Sequence, residues 1–260
     1  MKDLLVLTTA GRSHWVKDAV ATLDDPLDVL VVDDASPEPI GSDIKDFCKE
    51  RGVKFHTFAK PGGLTRSWNW AYKFFLKNGY DRCIISNDDV RFSDGFSKSL
   101  LDGTLKYTLV CPVSNKPTGK PSQFPRQWLF RYCAIKATHK RKSRNEIQHS
   151  LEEKFVPRPY RKIRTFNGYC FAFACNSIND FAYDNGYLFD PGNINTKNDI
   201  ELGRRIRNRG GVMAVCLASY VFHWKCATAM ETRAQGQADK NVLASEWPTL
   251  KRMKISKYMR

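Results

Sequence analysis

The sequence predicts a single α/β domain with a mostly parallel central sheet and helices on both faces. Short apolar runs alternate along the chain with segments in which apolar residues recur at helical spacing. Such alternation is typical of strand–helix–strand units that build a parallel sheet. Several of the apolar runs end in acidic or hydroxyl residues, and ligands of open α/β sheets bind at the carboxyl ends of strands. The 260 residues, 42% of them hydrophobic, are enough to bury a substantial core.

The first part of the chain predicts four strands with three helices between them. The strands are Leu4–Leu7, Val29–Val32, a short one from Val53 to Phe58, and a run that starts at Ile84 and ends at Asp88 and Asp89. The helices are predicted from apolar positions on one face. These positions are Val16, Ala19, Val20 and Leu23 after a capping Ser13, then Ile44, Phe47 and Cys48, then Leu64, Trp68, Ala71, Tyr72 and Phe75 after Gly62–Gly63.

The second part predicts fewer regular elements. Leu109–Pro112 is a further strand, and from Lys116 to about Arg164 the periodic pattern is lost, which we interpret as an insertion with short helices. Core-like sequence resumes at Phe166–Phe173. A helix follows from Asp199 to Arg209, ended by two glycines. The last predicted strands are Val212–Cys216 and Tyr220–His223.

The net charge of +15 is unevenly placed. Residues 116–165 contain 14 Lys and Arg against 3 Asp and Glu, and the last ten residues contain five Lys and Arg and no acid. The rest of the chain is close to neutral. This distribution indicates a neutral core with basic attachments, and it does not match a nucleic-acid binder whose basic residues are spread along its whole surface.

Eight scattered cysteines contain no CxxC pair, so structural zinc is not predicted. Several lie inside apolar runs, as free cysteines of a reducing compartment do. The run Leu4–Leu7 is too short for a secretory signal, and no run approaches the length of a membrane span. We therefore expect a cytoplasmic protein. A GxGxxG fingerprint and a P-loop are both absent from the sequence.

Asp88 and Asp89 follow a buried strand directly. Two adjacent carboxylates repel each other unless a cation lies beside them. Mg²⁺ and Mn²⁺ prefer such hard oxygen ligands and take further ligands from water and substrate phosphates. The pair predicts a metal–diphosphate site. The alternative is that the two aspartates only cap a strand-to-helix turn.

Other polar residues occupy comparable positions. Thr8–Thr9 and Asp33–Asp34 end the first two predicted strands, and His223–Trp224 ends a late one. Asp199 begins a helix, where the helix dipole favours a carboxylate. Because adjacent strand ends meet at one edge of a sheet, these residues predict a crevice suited to a nucleotide.

Five segments resemble, in order, motifs of the inverting GT-A-type nucleotide-sugar glycosyltransferases called family 2. They are Val31–Ser36 (VVDDAS against VVDDGS), Gly63–Asn69 (GLTRSWN against GLARARN), Asn87–Asp89 (the DxD-type metal motif), Phe166–Gly168 (the acceptor-side glycine segment) and Asn198–Arg205 (NDIELGRR against EDxELxxR). The resemblance covers residues 1–115 and 165–225. It implies a GT-A fold and transfer of a sugar from a nucleotide-diphosphate donor to a hydroxyl of a glycan, glycoprotein or glycolipid.

The resemblance also implies the site. The nucleotide sugar would contact Thr8, Thr9, Asp33, Asp34, Arg66, Asn69 and Asp88. Asp89 and His223 would bind Mn²⁺ or Mg²⁺. Asp199 would be the general base that deprotonates the acceptor hydroxyl, with a pKa raised by partial burial. The acceptor would contact Asn167, Gly168 and Trp224, and Trp128 is a second candidate for stacking on a sugar.

Two positions depart from the family pattern. Asn87–Asp88–Asp89 lacks the common further aspartate after a spacer, and Asn198 stands where the family often has Glu. Both segments keep the required acid. The departures leave open which metal binds, and whether the configuration at C1 is inverted or retained.

The expected organisation is one glycosyltransferase domain in four parts. Residues 1–115 are the nucleotide-sugar-binding half, 116–165 a basic insertion or lid, 166–245 the acceptor and catalytic half, and 246–260 a basic tail. The insertion is interpreted as an acceptor-side lid. Alternatively, with the tail, it binds an acidic or lipid-linked acceptor or the anionic surface of a membrane, or it binds nucleic acid.

Two other functions remain open. One is a nucleotidyltransferase of similar fold, although Ala10–Gly11–Arg12 is a poor match to the Gly-rich basic loop expected after its first strand. The other is a non-catalytic protein that binds polyanions through residues 116–165.

Overall fold

The structure, a computed structural model, describes residues 1–114, 143–155 and 158–224. In these residues nine strands form one sheet. The strands are β1 (Asp3–Thr9), β2 (Asp28–Asp33), β3 (Lys54–Thr57), β4 (Arg82–Asn87), β5 (Val90–Phe92), β6 (Leu109–Val113), β7 (Tyr160–Ile163), β8 (Cys170–Ala174) and β9 (Met213–His223). The helices are α1 (Ser13–Ala21), α2 (Ile40–Glu50), α3 (Leu64–Lys77), α4 (Phe96–Gly103), α5 (Arg144–Phe155), α6 (Cys175–Ile178) and α7 (Asn198–Asn208), with a 3₁₀ turn at Asn179–Phe181.

The strand order brings the predicted site residues to one edge. It runs β3-β2-β1-β4-β8-β6-β9-β5, with β7 paired to β9. Six strands share one direction, and β5, β7 and β8 run against it. The chain winds outward from β1 to β3 and then returns to place β4 on the other side of β1. The carboxyl ends of β1 and β4 therefore flank the crevice where ligands of such sheets bind.

The core lies on both faces of the sheet. Leu4 and Val6 of β1 pack with α3 on one face, and Leu5 and Leu7 pack with α1 and α2 on the other. Burial on both faces explains why β1 has a continuous apolar run instead of an alternating one. Within the described residues, no helix has the length and apolarity needed to cross a bilayer.

One long strand, β9, replaces the two predicted late strands. Residues 217–219, which lay between the two predicted strands, are extended too, and the buried Ser219 hydroxyl donates to the Phe96 carbonyl oxygen at 2.8 Å. Gln148 of α5 holds the backbone on either side: its Nε2 donates to the Ala218 carbonyl oxygen at 2.7 Å, and its Oε1 accepts from Tyr220 N at 2.6 Å. These side-chain partners therefore help to keep this part of β9 extended.

The end of the predicted insertion belongs to the sheet domain. Residues 143–155 contain α5, and β7 pairs with β9. Ile147, Leu151 and Ile163 are buried in the core. This segment contains many basic residues and only a few apolar positions, so its sequence shows no clear periodic pattern. The rest of the insertion up to residue 142, Trp128 included, and the basic tail lie outside the described residues.

Candidate active site

The carboxyl ends of β1 and β4 are joined by a hydrogen bond between side chains. Thr9 Oγ1 donates to Asp88 Oδ2 at 2.7 Å, while Thr8 Oγ1 donates to the Ser86 carbonyl oxygen at 3.3 Å. All these residues are buried. Burial raises the pKa of Asp88 to about 6, although the Thr9 hydrogen bond and the charge of Arg12 oppose the rise. Asp88 is thus a buried acid whose charged form is held at a free-energy cost.

Asp89 and His223 form the best candidate for a cation site. His223 Nε2 lies 3.3 Å from Asp89 Oδ1, and Trp224 N donates to the Asp89 carbonyl oxygen at 3.0 Å. Both Asp89 Oδ1 and the side-chain oxygen of Asn87 are buried and accept no hydrogen bond. A buried carboxylate oxygen without a donor is costly, and a cation beside it would remove that cost.

The described side chains could supply only some of the ligands that a divalent cation needs. Among residues 1–114, 143–155 and 158–224 there is no group of three His, Cys, Asp or Glu that could hold a metal ion. Carboxylate oxygen and imidazole nitrogen are both ligands of Mn²⁺-type ions. A diphosphate and water would have to supply the remaining ligands, as they often do for Mg²⁺.

Asp199 stands at the start of α7 and is tied to the same edge of the sheet. Its Oδ1 accepts from Ile200 N at 2.8 Å and its Oδ2 from Gly168 N at 3.1 Å. The next residue, Tyr169, accepts Asn87 N at 2.9 Å through its carbonyl oxygen. Burial raises the pKa of Asp199, despite these backbone hydrogen bonds. This is the direction expected for a general base.

Gly168 is required by the packing around Asp199. A Cβ on this residue would lie 2.5 Å from Cη2 of Trp68 and 3.4 Å from Cβ of Asp199. The first distance is too short for any side chain, so only glycine lets α3 and α7 approach here. Asn167, the other predicted acceptor residue in this segment, is half-buried beside it.

Asp33 and Asp34 hold loops at the end of β2. Asp33 accepts Ser36 N at 3.0 Å and Thr57 Oγ1 at 2.9 Å. Asp34 accepts Gly62 N at 3.0 Å, Gly63 N at 2.6 Å and Arg66 Nη2 at 2.5 Å. Gly62 N also lies 3.1 Å from the second oxygen of Asp34, so three donor groups share this carboxylate.

Asp34 therefore closes the loop before α3 and occupies amides that could otherwise bind a phosphate. Its contact with a nucleotide base stays a prediction. The Arg66 guanidinium lies 3.9 Å above the centre of the Phe58 ring and also donates to the Lys60 carbonyl oxygen. Arg66 is thus held on the β3 side of the site.

Asn69 and Trp224 are used in packing. The Asn69 amide donates to the Phe189 carbonyl oxygen at 2.9 Å and accepts Phe189 N at 2.8 Å, which fixes a loop against α3. The Trp224 ring packs 5.4 Å from Trp15 and 4.9 Å from Phe222. Their predicted contacts with donor and acceptor stay predictions.

Two residues at this edge escaped the sequence reasoning. Arg12 is buried in the loop after β1, and its charge lowers the pKa of Asp88. A basic residue in the loop after Thr8–Thr9 was the available signal. Tyr169 stacks on His223, with ring centres 4.8 Å apart and planes 14° from parallel. In the sequence it looked like any core aromatic.

The acids meet at one edge, and a cleft opens at one end of it. Asp34 N donates to the Thr9 carbonyl oxygen at 2.9 Å, so the ends of β1, β2 and β4 are continuous. A cleft of about 480 Å³ is lined by residues that include Lys45, Phe58 and the two hydrogen-bond partners of Asp33, Ser36 and Thr57. None of Asp33, Asp34, Asp89 and Asp199 lines it.

No family model matches the sequence, and no curated protein matches it. Solved structures do match the fold. GalNAc-T7 with UDP, GalNAc and Mn²⁺ has a TM-score of 0.60 and 12% identity, over 85% of this chain and 43% of its own. The Pyrobaculum calidifontis mannosyltransferase PcManGT, in complex with GDP-Man and Mn²⁺, has a TM-score of 0.56 and 14% identity, over 95% and 65%. TarS of S. aureus has a TM-score of 0.55 and 14% identity, over 86% and 36%.

The chain has the GT-A fold of these structures, which confirms the predicted fold class. It spans less than two thirds of the length of each of these three matched chains.

Proposed function

We propose that the chain is a glycosyltransferase that moves a sugar from a nucleotide-diphosphate donor to an acceptor hydroxyl, with a divalent cation and inversion at C1. One observation carries the proposal: the Asp89–His223 pair and Asp199 lie at one edge of the sheet, linked through Asn87, Tyr169 and Gly168. The fold supports the donor class, because two matched structures contain UDP or GDP-Man together with Mn²⁺.

Asp89 and His223 would hold the cation, and Asp88 would lie beside the donor. A bound Mn²⁺ or Mg²⁺ would offset the negative charge that develops on the departing diphosphate. Asp89 Oδ1 supports this assignment, because it is buried, accepts no hydrogen bond and lies 3.3 Å from His223 Nε2.

Asp199 would act on the acceptor. As the acceptor oxygen attacks C1, its proton passes to the Asp199 carboxylate, the bond from that oxygen to C1 forms, and the bond from C1 to the phosphate oxygen breaks. Attack on the face opposite the leaving group inverts C1. The raised pKa of Asp199 makes it a stronger base than an ordinary carboxylate. Asn167, Gly168 and Trp224 would contact the acceptor.

The remaining predicted donor contacts would shape the other end of the site. Thr8 and Thr9 hold the ends of β1 and β4 together, and Asp33 and Asp34 hold the loops beside them. Arg66 would place its cation near the diphosphate, where a guanidinium binds phosphate oxygens well. Asn69 would support that end of the site indirectly, through its hydrogen bond to Phe189.

The test is a thermal-shift screen of UDP-, GDP- and other nucleotide sugars, with Mn²⁺, with Mg²⁺ and with EDTA. The proper donor should stabilise the protein only with metal, by about 2.7 kcal/mol at a hundred times its Kd. Asp89→Ala should remove the metal dependence, while Asp46→Ala on the exposed face of α2 should keep it. The proposal fails if no nucleotide sugar gives a metal-dependent shift, or if Asp89→Ala retains one.

A further inference from the structure

Tyr169 contacts three parts of the site at once. It is fully buried, and its hydroxyl donates to the Pro112 carbonyl oxygen at 2.8 Å. Its carbonyl oxygen accepts Asn87 N at 2.9 Å, and the residue before it donates to Asp199. Its ring lies flat against the His223 imidazole, 4.8 Å away and 14° from parallel. Two of these contacts, the hydroxyl bond to Pro112 and the ring stack on His223, depend on the tyrosine side chain.

The stacking restricts the imidazole. The buried Tyr169 ring, whose backbone is held by Asn87, forms a wall along one face of His223. Rotation of the imidazole would push its edge into that wall, so the ring plane is set while Nε2 stays 3.3 Å from Asp89 Oδ1. Partners that orient a ligand in this way affect metal affinity strongly, because the ligand loses less freedom on binding.

We propose that Tyr169 is a positioning residue that fixes the plane of the His223 imidazole, so that Nε2 and the Asp89 carboxylate face one cation position before any cation binds. The part that concerns the cation rests on the proposed function. The part that concerns the imidazole is a property of the protein without metal.

Two variants of Tyr169 separate its ring from its hydroxyl. Tyr169→Leu removes the flat ring, and Tyr169→Phe keeps the ring but loses the bond to Pro112. Tyr160→Leu is the matched control, because Tyr160 also donates its hydroxyl to a backbone carbonyl, that of Ser99 at 2.7 Å, and packs on an aromatic ring. Circular dichroism in EDTA shows which variants fold.

The first measurement is the Mn²⁺ dissociation constant without donor, from the electron paramagnetic resonance signal of free Mn²⁺. Tyr169→Leu should weaken binding about tenfold, whereas Tyr169→Phe and Tyr160→Leu should stay within about twofold of wild type. A folded Tyr169→Leu variant with wild-type affinity would overturn the proposal. So would an equal loss in the Tyr160→Leu control.

The second measurement needs no metal. The His223 ring-proton resonance, assigned by its loss in His223→Asn, should lie upfield in wild type and in Tyr169→Phe, and should return to the ordinary histidine position in Tyr169→Leu. If wild type binds no Mn²⁺, the cation part of the proposed function fails, and this resonance still decides on positioning. If Tyr169→Leu does not fold, an ordinary His223 position in wild type and in Tyr169→Phe overturns the proposal.

Discussion

Replacing Asp88 by Asn should stabilise the metal-free protein at neutral and alkaline pH. Burial raises the pKa of this carboxyl from 3.8 to about 6. Since the folded pKa is above the unfolded one, the stability that protonated Asp88 contributes is fully present below pH 3.8 and is lost as pH rises through about 6. At about 1.4 kcal/mol for each pKa unit, the ionised carboxyl costs about 3 kcal/mol at pH 8.

The asparagine cannot ionise, and its side-chain oxygen can still accept the Thr9 hydroxyl, now 2.7 Å from Asp88 Oδ2. The free energy of unfolding, from urea titration in EDTA, should therefore depend less on pH in the variant. The difference in the free energy of unfolding between the variant and wild type should grow by about 2 kcal/mol from pH 4 to pH 8. This is less than the full cost of about 3 kcal/mol, because part of that cost is already present at pH 4. Asp46→Asn, on the exposed face of α2, should follow wild type at each pH.

If the free energy of unfolding changed with pH in the same way in wild type and in Asp88→Asn, this reasoning would be refuted. Such a result would mean that burial does not penalise the charge of Asp88. The same experiment with Mn²⁺ adds a functional comparison. A cation at Asp89 and His223 would stabilise the wild-type carboxylate, so the advantage of the variant should shrink as Mn²⁺ is added.

Three further outcomes follow from the geometry. Asp199→Asn should lower sugar transfer by about 10²- to 10⁴-fold while the donor still binds. In wild type, the acidic limb of the pH–rate profile should lie above pH 3.8, because burial raises the pKa of Asp199. Gly168→Ala should cost about 1–3 kcal/mol in urea unfolding, since its Cβ would meet Trp68 at 2.5 Å, and it should slow transfer by displacing Asp199. Arg205→Met should cost about 3–5 kcal/mol, because it leaves the buried Glu201, now 2.9 Å from Arg205, without its partner. The double variant with Glu201→Gln should recover part of that loss.

Local patterns predicted the strands and helices that pack through regular apolar positions. β1 was predicted within two residues of its observed bounds. Most predicted apolar positions of α1, α2 and α3 are buried, whereas Val20, Leu23, Phe47 and Leu64 are half-buried against the core. The sequence analysis predicted no element at β5, α4 or α6, although α4 buries Phe96, Leu100 and Leu101. It also missed β7 and the bounds of α5, which have too few apolar positions among their charges. β7 and α5 are held in place by residues far along the chain, chiefly those of β9.

The candidate site divides in the same way. That Asp88, Asp89 and Asp199 lie at an edge of a sheet follows from their place after a buried strand or at the start of a helix. That Asp34 binds the Gly62 and Gly63 amides, and that Tyr169 stacks on His223, could not be predicted. These contacts join residues 28 to 54 positions apart, and no local pattern encodes such a pairing.

The order of apolar and acidic segments was sufficient to determine the class of fold and the residue types at its carboxyl edge, because burial and strand direction depend on local patterns. Only the tertiary structure decided which acids are used internally and which remain available. Asp33 and Asp34 accept hydrogen bonds from the amides and hydroxyls of neighbouring loops, whereas Asp89 Oδ1 accepts no hydrogen bond. The physical reason is that a carboxylate binds whichever donors the packed chain brings within about 3 Å, and that set is known only once distant segments have met.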